Sequence, residues 1–182
     1  LLVPEVIEKE SNSWIKNLFI GVVNALVLLV SYYVFGLSYE FFASLIIAGL
    51  VLIIFISDFK YMIILDSPLV VAAILILILR AYFYGFENMG LSLLSGIVLF
   101  VLMLLIGLFG KKLFQKEALG GGDIKLAGVI GIILGFKLGL VSIILSSLLA
   151  LPYAIGAMML NKNSEVPFGP FLISSMAIVF IF

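Results

Sequence analysis

Apolar residues occupy this chain in long unbroken blocks, with the polar positions gathered between them. Blocks of about 18 residues or more have the length that carries a helix across roughly 30 Å of hydrocarbon. They predict about seven helical spans, at Leu18–Leu37, Tyr39–Ser57, Pro68–Tyr84, Leu91–Phe109, Asp123–Phe136, Leu138–Leu160 and Phe168–Phe182. The fifth is short and glycine-rich, and the last is barely long enough to cross. Short segments of alternating polarity, the mark of an outer-membrane barrel, are not what the blocks show. The expected fold is all-α: a polytopic transmembrane bundle, with residues 1–17 as a cytoplasmic juxtamembrane segment and 18–182 as one domain in the bilayer. The polar linker of note is Gly110–Gly122, between the fourth and fifth spans.

Composition agrees with that reading. The 182 residues are 65% hydrophobic and 11% charged, with mean hydropathy +1.40, far too little charge to cover a soluble domain of this size. The few cations are unevenly placed. Lys9, Lys16, Lys60, Lys111, Lys112, Lys116, Lys125 and Lys162 fall on one side of the predicted spans, leaving Arg80 and Lys137 on the other. The positive-inside rule then puts the N-terminus and the loops after spans two, four and six in the cytoplasm. Trp14, Tyr82 and Tyr84 lie near span ends, where amphipathic rings favour the interface. The chain opens on Leu1 rather than methionine, so sequence upstream is expected. The stretch Leu1–Lys16 is too charged for the apolar core of a signal peptide.

Absences narrow the chemistry. With no histidine and no cysteine, serine triads, His-ligated zinc proteases, thiol nucleophiles and Cys–zinc sites each lose a required member. A net charge of zero gives no sign of nucleic-acid binding. The three aspartates, Asp58, Asp66 and Asp123, all fall at or near the cytoplasmic face. Carboxylates at the edge of hydrocarbon are costly and read first as functional. Asp58 ends span two and Asp123 opens span five, and carboxylates on neighbouring helix ends can share a proton and activate water. The structural reading of Asp58 is a helix-end charge paired with Lys60 or reaching for water. For Asp123 it is an N-terminal cap, although caps do not call for the run Gly120-Gly121-Gly122 before it. Asp66-Ser67-Pro68 reads as a helix start. Ala127, Gly131, Gly135 and Gly139 recur at every fourth position, a small-residue stripe suited to close helix contact. Lys125 is either a positive-inside anchor or a binding group. Pro167-Phe168-Gly169-Pro170 fixes a local bend at the entry to the last span.

At these residues the chain resembles the type IV prepilin peptidases. Glu117-Ala118-Leu119-Gly120-Gly121-Gly122-Asp123-Ile124-Lys125-Leu126 is similar to their GxGD-x-K-L motif. The segment Asp58-Phe59-Lys60-Tyr61-Met62-Ile63-Ile64-Leu65-Asp66 resembles their other catalytic segment, with Leu65 where the family usually has proline. Val166-Pro167-Phe168-Gly169-Pro170-Phe171 is similar to the closing motif of bacterial members. Many bacterial members also carry an N-terminal cytoplasmic domain, often with a CxxC pair, and nothing in Leu1–Asn17 matches it. Presenilin and signal peptide peptidase share the GxGD idea, but their Tyr-Asp and Pro-Ala-Leu signatures have no counterpart here.

The resemblance implies a GxGD-type aspartyl endopeptidase of the inner membrane. Its substrate would be a prepilin or pseudopilin with a basic leader and a hydrophobic helix, cut after a glycine at the cytoplasmic face. Asp58 and Asp123 would be catalytic, Gly120 and Gly122 would admit the substrate strand, and Lys60 and Lys125 would orient its acidic residue. Asp66, Pro167, Gly169 and Pro170 would be structural. Cleavage needs no metal or organic cofactor, and S-adenosylmethionine would enter only where the methylation of larger members is retained. Two alternatives stay open: another GxGD intramembrane protease, and a small proton-coupled transporter or scaffold in which the aspartates titrate with an ion.

Overall fold

In the computed structural model, residues 28–114, 119–159 and 167–181 are described. Among them every regular element is a helix. Helix α1 covers 28–35, followed by α2 Tyr39–Tyr61, α3 Asp66–Phe114, α4 Gly121–Met159 and α5 Gly169–Ile181. Helices α2, α3 and α4 each hold a stretch long and apolar enough to cross a membrane. The juxtamembrane segment 1–17 and the first part of the first expected span lie outside the described residues, as do Lys116 and Lys162.

Two of these helices are broken by one glycine each. Gly85 in α3 has φ 83° and ψ 170°, and Gly135 in α4 has φ 79° and ψ 176°. Residues with a Cβ are all but excluded from that region of backbone space. Each break divides its helix into two arms. In α3 the expected connection over 85–90 shrinks to Gly85 alone, because 86–90 remain helical. In α4 the chain turns back on itself. A Cβ on Gly139 would lie 3.6 Å from Gly131 Cα, whereas eight residues of straight helix would separate them by about 12 Å. Gly135 therefore marks the reversal, and Gly131 does the close packing that the four-residue stripe predicted for both. The polar linker is also shorter than expected, since α3 continues through Lys111 and Lys112 to Phe114.

Lipid tails are as apolar as leucine, so helices in a bilayer associate through close packing and polar contacts rather than by escaping water. The contact between α3 and α4 is of this kind. A Cβ on Gly131 would sit 2.7 Å from Ser95 O and 2.8 Å from Gly96 Cα, and one on Gly96 would sit 2.8 Å from Gly128 O. The two backbones touch. Around this seam Leu126, Ile130 and Ile133 of α4 pack into a core with Ile54 of α2, Leu69 and Ile76 of α3, and Leu172, Ile173 and Met176 of α5. The hydroxyls of Ser142 and Ser175, both buried, meet at 3.1 Å and tie α4 to α5.

Arg80, counted in the sequence as a cation of the far side, lies within α3. It turns inward, donating from Nη1 to Ser92 Oγ at 2.6 Å, from Nη2 to the Ile133 carbonyl at 2.7 Å and from Nε to Tyr39 Oη at 3.0 Å. Ile133 lies two residues before the break at Gly135, where the helical hydrogen-bond ladder is interrupted. A cation there satisfies a carbonyl and complements the negative end of the arm. Lys137, the other charge assigned to that side, is exposed. Arg80→Ala is expected to destabilise the protein by about 1–3 kcal/mol, the cost of leaving a buried acceptor unmet. Arg80→Lys should recover only part, because one ammonium does not reproduce a planar three-way fork. Thermal unfolding in detergent, with Lys137→Ala as the silent comparison, checks both.

Candidate active site

Asp58 lies on the last turn of α2 and is 5% exposed. The helix stops just beyond it, at Met62, which adopts the left-handed conformation (φ 51°) and donates its amide to the Asp58 carbonyl at 2.9 Å. Residues 62–65 then turn the chain so that α3 begins at Asp66, with Pro68 in its first turn. A proline is accommodated there because the first amides of a helix have no partner to lose. The helix start expected at Asp66-Ser67-Pro68 is where the structure places it.

Asp123 is delivered from the other side. The Gly120 carbonyl accepts from the Asp123 amide at 3.1 Å, starting α4, and Asp123 itself is partly buried in the first turn. Its carboxyl folds back on the loop, where the Gly120 amide donates toward it. A Cβ on Gly120 would stand 3.1 Å from Asp123 Oδ2. The two carboxylates lie close enough for their charges to act on one another.

Ile64 brings the pieces together. A Cβ on Gly122 would lie 2.8 Å from Ile64 Cβ, and one on Gly169 would lie 2.9 Å from Ile64 Cδ1. The turn after α2, the start of α4 and the start of α5 thus meet at one side chain. The space beside Gly122 is filled by this chain's own Ile64. Gly169 also touches Asp58 directly, its amide donating to Oδ2 at 3.1 Å in a buried bond. Pro167 and Pro170 are buried beside it. Sequence reading did not single out Ile64, an isoleucine among many. For Gly169 the tight Pro-Phe-Gly-Pro string was the available signal, but it carried no hint of its partner 111 positions earlier.

The remaining expected site residues are placed differently. Lys125 Nζ reaches both oxygens of Asp66, at 2.8 and 2.7 Å, so the first turns of α3 and α4 are joined by an exposed ion pair. Asp66 thus has a partner on α4 as well as a place at a helix start. Lys60 is in the last turn of α2, and its side chain lies outside the described residues. Among the described residues no cluster of three or more Asp, Glu, His or Cys could hold a metal ion. The outer face of α2 and the turn that follows form an apolar groove of about 440 Å³, lined by Ile53, Ile56, Ser57, Tyr61, Ile63 and Leu65, with Asp58 not part of the lining. A buried carboxylate with a second one within its field can hold and polarise a water.

The sequence model of the type IV leader peptidase family matches residues 45–155, which include both aspartates and the whole of α3. The chain belongs to this family. It is 27% identical over 157 residues to the prepilin leader peptidase/N-methyltransferase of Bacillus subtilis (strain 168), covering 81% of this chain and 58% of that protein. It is 29% identical over 164 residues to the protein of the same name from Vibrio cholerae serotype O1 (strain ATCC 39315 / El Tor Inaba N16961), covering 84% of this chain and 61% of that one. The chain therefore spans about three-fifths of the length of these two relatives. No solved structure matches it significantly.

The ion pair yields a prediction. If Lys125 serves α4 through Asp66, Lys125→Asp or Asp66→Lys alone should lower whatever leader-peptidase activity the chain shares with its family, and the double charge exchange should restore most of it. The stability change in each single variant should stay within about 1 kcal/mol, the ordinary range for an exposed pair. Activity assays and thermal unfolding on the three variants test it. A double exchange no better than Lys125→Asp would return Lys125 to substrate binding.

Proposed function

We propose that this chain is an aspartyl leader peptidase of the cytoplasmic membrane, cutting prepilins or pseudopilins after a glycine between a basic leader and a hydrophobic helix. The observation that carries the reading is the convergence of the helix ends that bear Asp58 and Asp123, 65 positions apart in sequence, on Ile64 and Gly169. Family membership supports the substrate class. The names of the two relatives, prepilin leader peptidase/N-methyltransferase, support it further.

In this reading one carboxylate takes a proton from a water molecule as its oxygen adds to the scissile carbonyl carbon. The protonated partner gives its proton to the carbonyl oxygen, so the tetrahedral intermediate forms without net charge on that oxygen. Collapse breaks the C–N bond, and a proton from the pair passes to the leaving amine. The two groups work as one titrating unit. The apolar groove on the outer face of α2 and the turn after it suits the first turns of the substrate's hydrophobic helix. The basic leader would stay in the aqueous phase on the cytoplasmic side.

The same reading takes the chain across the membrane seven times: once with the span that α1 closes, once with α2, twice with the arms of α3, twice with the arms of α4, and once with α5. The lysine bias puts the N-terminus and both aspartates on the cytoplasmic side. Methyl transfer, the second activity in the relatives' name, is left out of the proposal. Three cavities among the described residues are lined mainly by apolar side chains, and their two charged groups, Asp66 and Lys125, already hold each other. These linings do not fit a polar, charged methyl donor.

Asp58→Asn and Asp123→Asn are each expected to lower cleavage of a purified prepilin by the detergent-solubilised protein about 100-fold or more, the scale of lost acid–base catalysis. Unfolding curves should stay close to the wild type. Mass spectrometry of the product should place the cut after glycine. Full activity in either variant would remove the pair from the chemistry, and wild-type protein that leaves every prepilin intact would overturn the substrate class.

A further inference from the structure

Glycine at position 169 is not there for its backbone freedom. Among the described residues the glycines with positive φ are Gly36, Gly85 and Gly135, and Gly169 is not one of them. What it supplies is space and a directed amide. Gly169 is the first residue of the 13-residue helix α5, and a first-turn amide has no carbonyl to bind within its own helix. Pro170 has no amide, and the amides of Phe171 and Leu172 both turn back to the Phe168 carbonyl at 3.1 Å. That leaves the Gly169 amide as the donor of this turn that points outward, and it lands on Asp58 Oδ2 at 3.1 Å. A Cβ at this position would stand 2.7 Å from the same oxygen and 3.2 Å from the carboxyl carbon. Any side chain here displaces the Asp58 carboxylate or pushes α5 away.

We infer that Gly169 is a positioning residue of the aspartate pair: its amide, at the positive end of α5, fixes one oxygen of Asp58 and so sets which oxygen is left to work on water. The inference rests on the aspartyl peptidase reading above and extends it to a residue outside the matched family region. Gly120 stands in the same relation to Asp123, since a Cβ there would lie 3.1 Å from Asp123 Oδ2. Each carboxylate is therefore flanked by a glycine at a helix start, one before α4 and one opening α5. The buried prolines on either side of Phe168-Gly169 stiffen the turn, so the amide is held in direction before α5 docks.

Gly169→Ala in the full chain should reduce kcat for prepilin cleavage about 30-fold or more while KM stays within about twofold, because the groove for the substrate helix is lined by other residues. The added methyl also presses on Ile64, so the effect of packing is separated with Ile64→Ala and the double variant. If Gly169 acts through Asp58, the double variant regains stability but keeps a kcat far below that of Ile64→Ala. A double variant as fast as Ile64→Ala would make Gly169 a packing residue and overturn the inference. The contact is also read without any substrate, by hydrogen exchange at the Gly169 amide in the wild type and in Asp58→Ala. Exchange at least about tenfold faster in Asp58→Ala is expected, as a first-turn donor loses its acceptor; equal rates would overturn the contact. Wild-type protein that cuts no prepilin would fail the peptidase reading alone, and the exchange measurement would still decide whether Asp58 is held by Gly169.

Discussion

Backbone contact between α3 and α4 is the constraint on which the rest of this structure depends. Gly96 and Gly131 let the two backbones approach until a single Cβ would collide with a main-chain atom, that of Gly128 among them. Without a hydrophobic drive between helices in lipid, such contact is a main source of association energy. It also fixes the axis of the first arm of α4. That arm is gripped along its whole length: at its start by Gly122 against Ile64 and by the Lys125–Asp66 pair, in its middle by the glycine seam, and at its end by Arg80 on the Ile133 carbonyl. Asp123 rides on the first turn of this arm, so its placement follows from a contact made two turns further along.

The polar groups of the described region are used sparingly and at defined ends. Arg80 joins α2, both arms of α3 and the end of an arm of α4 through one guanidinium. Asp58 is buried with one amide bond holding an oxygen, an arrangement that offsets only part of what it costs to remove a carboxylate from water. Packing alone does not explain a carboxylate there. An apolar residue would fill the volume at lower cost, so the presence of a carboxylate there is an argument for chemistry.

Much of this was readable in the sequence, and the parts that were not share a cause. Helix positions came from block length, and the aspartates stood out because charge is rare in such a chain. The break at Gly135 fell where two blocks adjoin. Which face of each helix turns inward was not readable. In water the buried face is the apolar one, but a helix in lipid is apolar on both faces, and the contrast is gone. Arg80 therefore read only as a cation of the far side, not as a clamp. Lys125 read as an anchor or a binding group because its partner, Asp66, is 59 positions away. Gly96 looked like any other glycine, while the stripe from Ala127 to Gly139 was visible by its spacing yet mixed two roles, close packing at Gly131 and a reversal at Gly135.

The order of the parts along the chain has a consequence for how the site is completed. The family match ends at residue 155, and both aspartates, Ile64 and the glycine seam lie inside it. The group that holds Asp58 does not. Gly169 reaches the carboxylate from α5, the last helix described, which contacts both α4 and α2. Until α5 docks, Asp58 has no amide at Oδ2 and Ile64 lacks the wall that Gly169 gives it. The same docking step closes the core around Leu172, Ile173 and Met176. Packing of the last helix and alignment of the first aspartate are thus one event, and a buried carboxylate without that amide would be free to turn toward water and away from its partner.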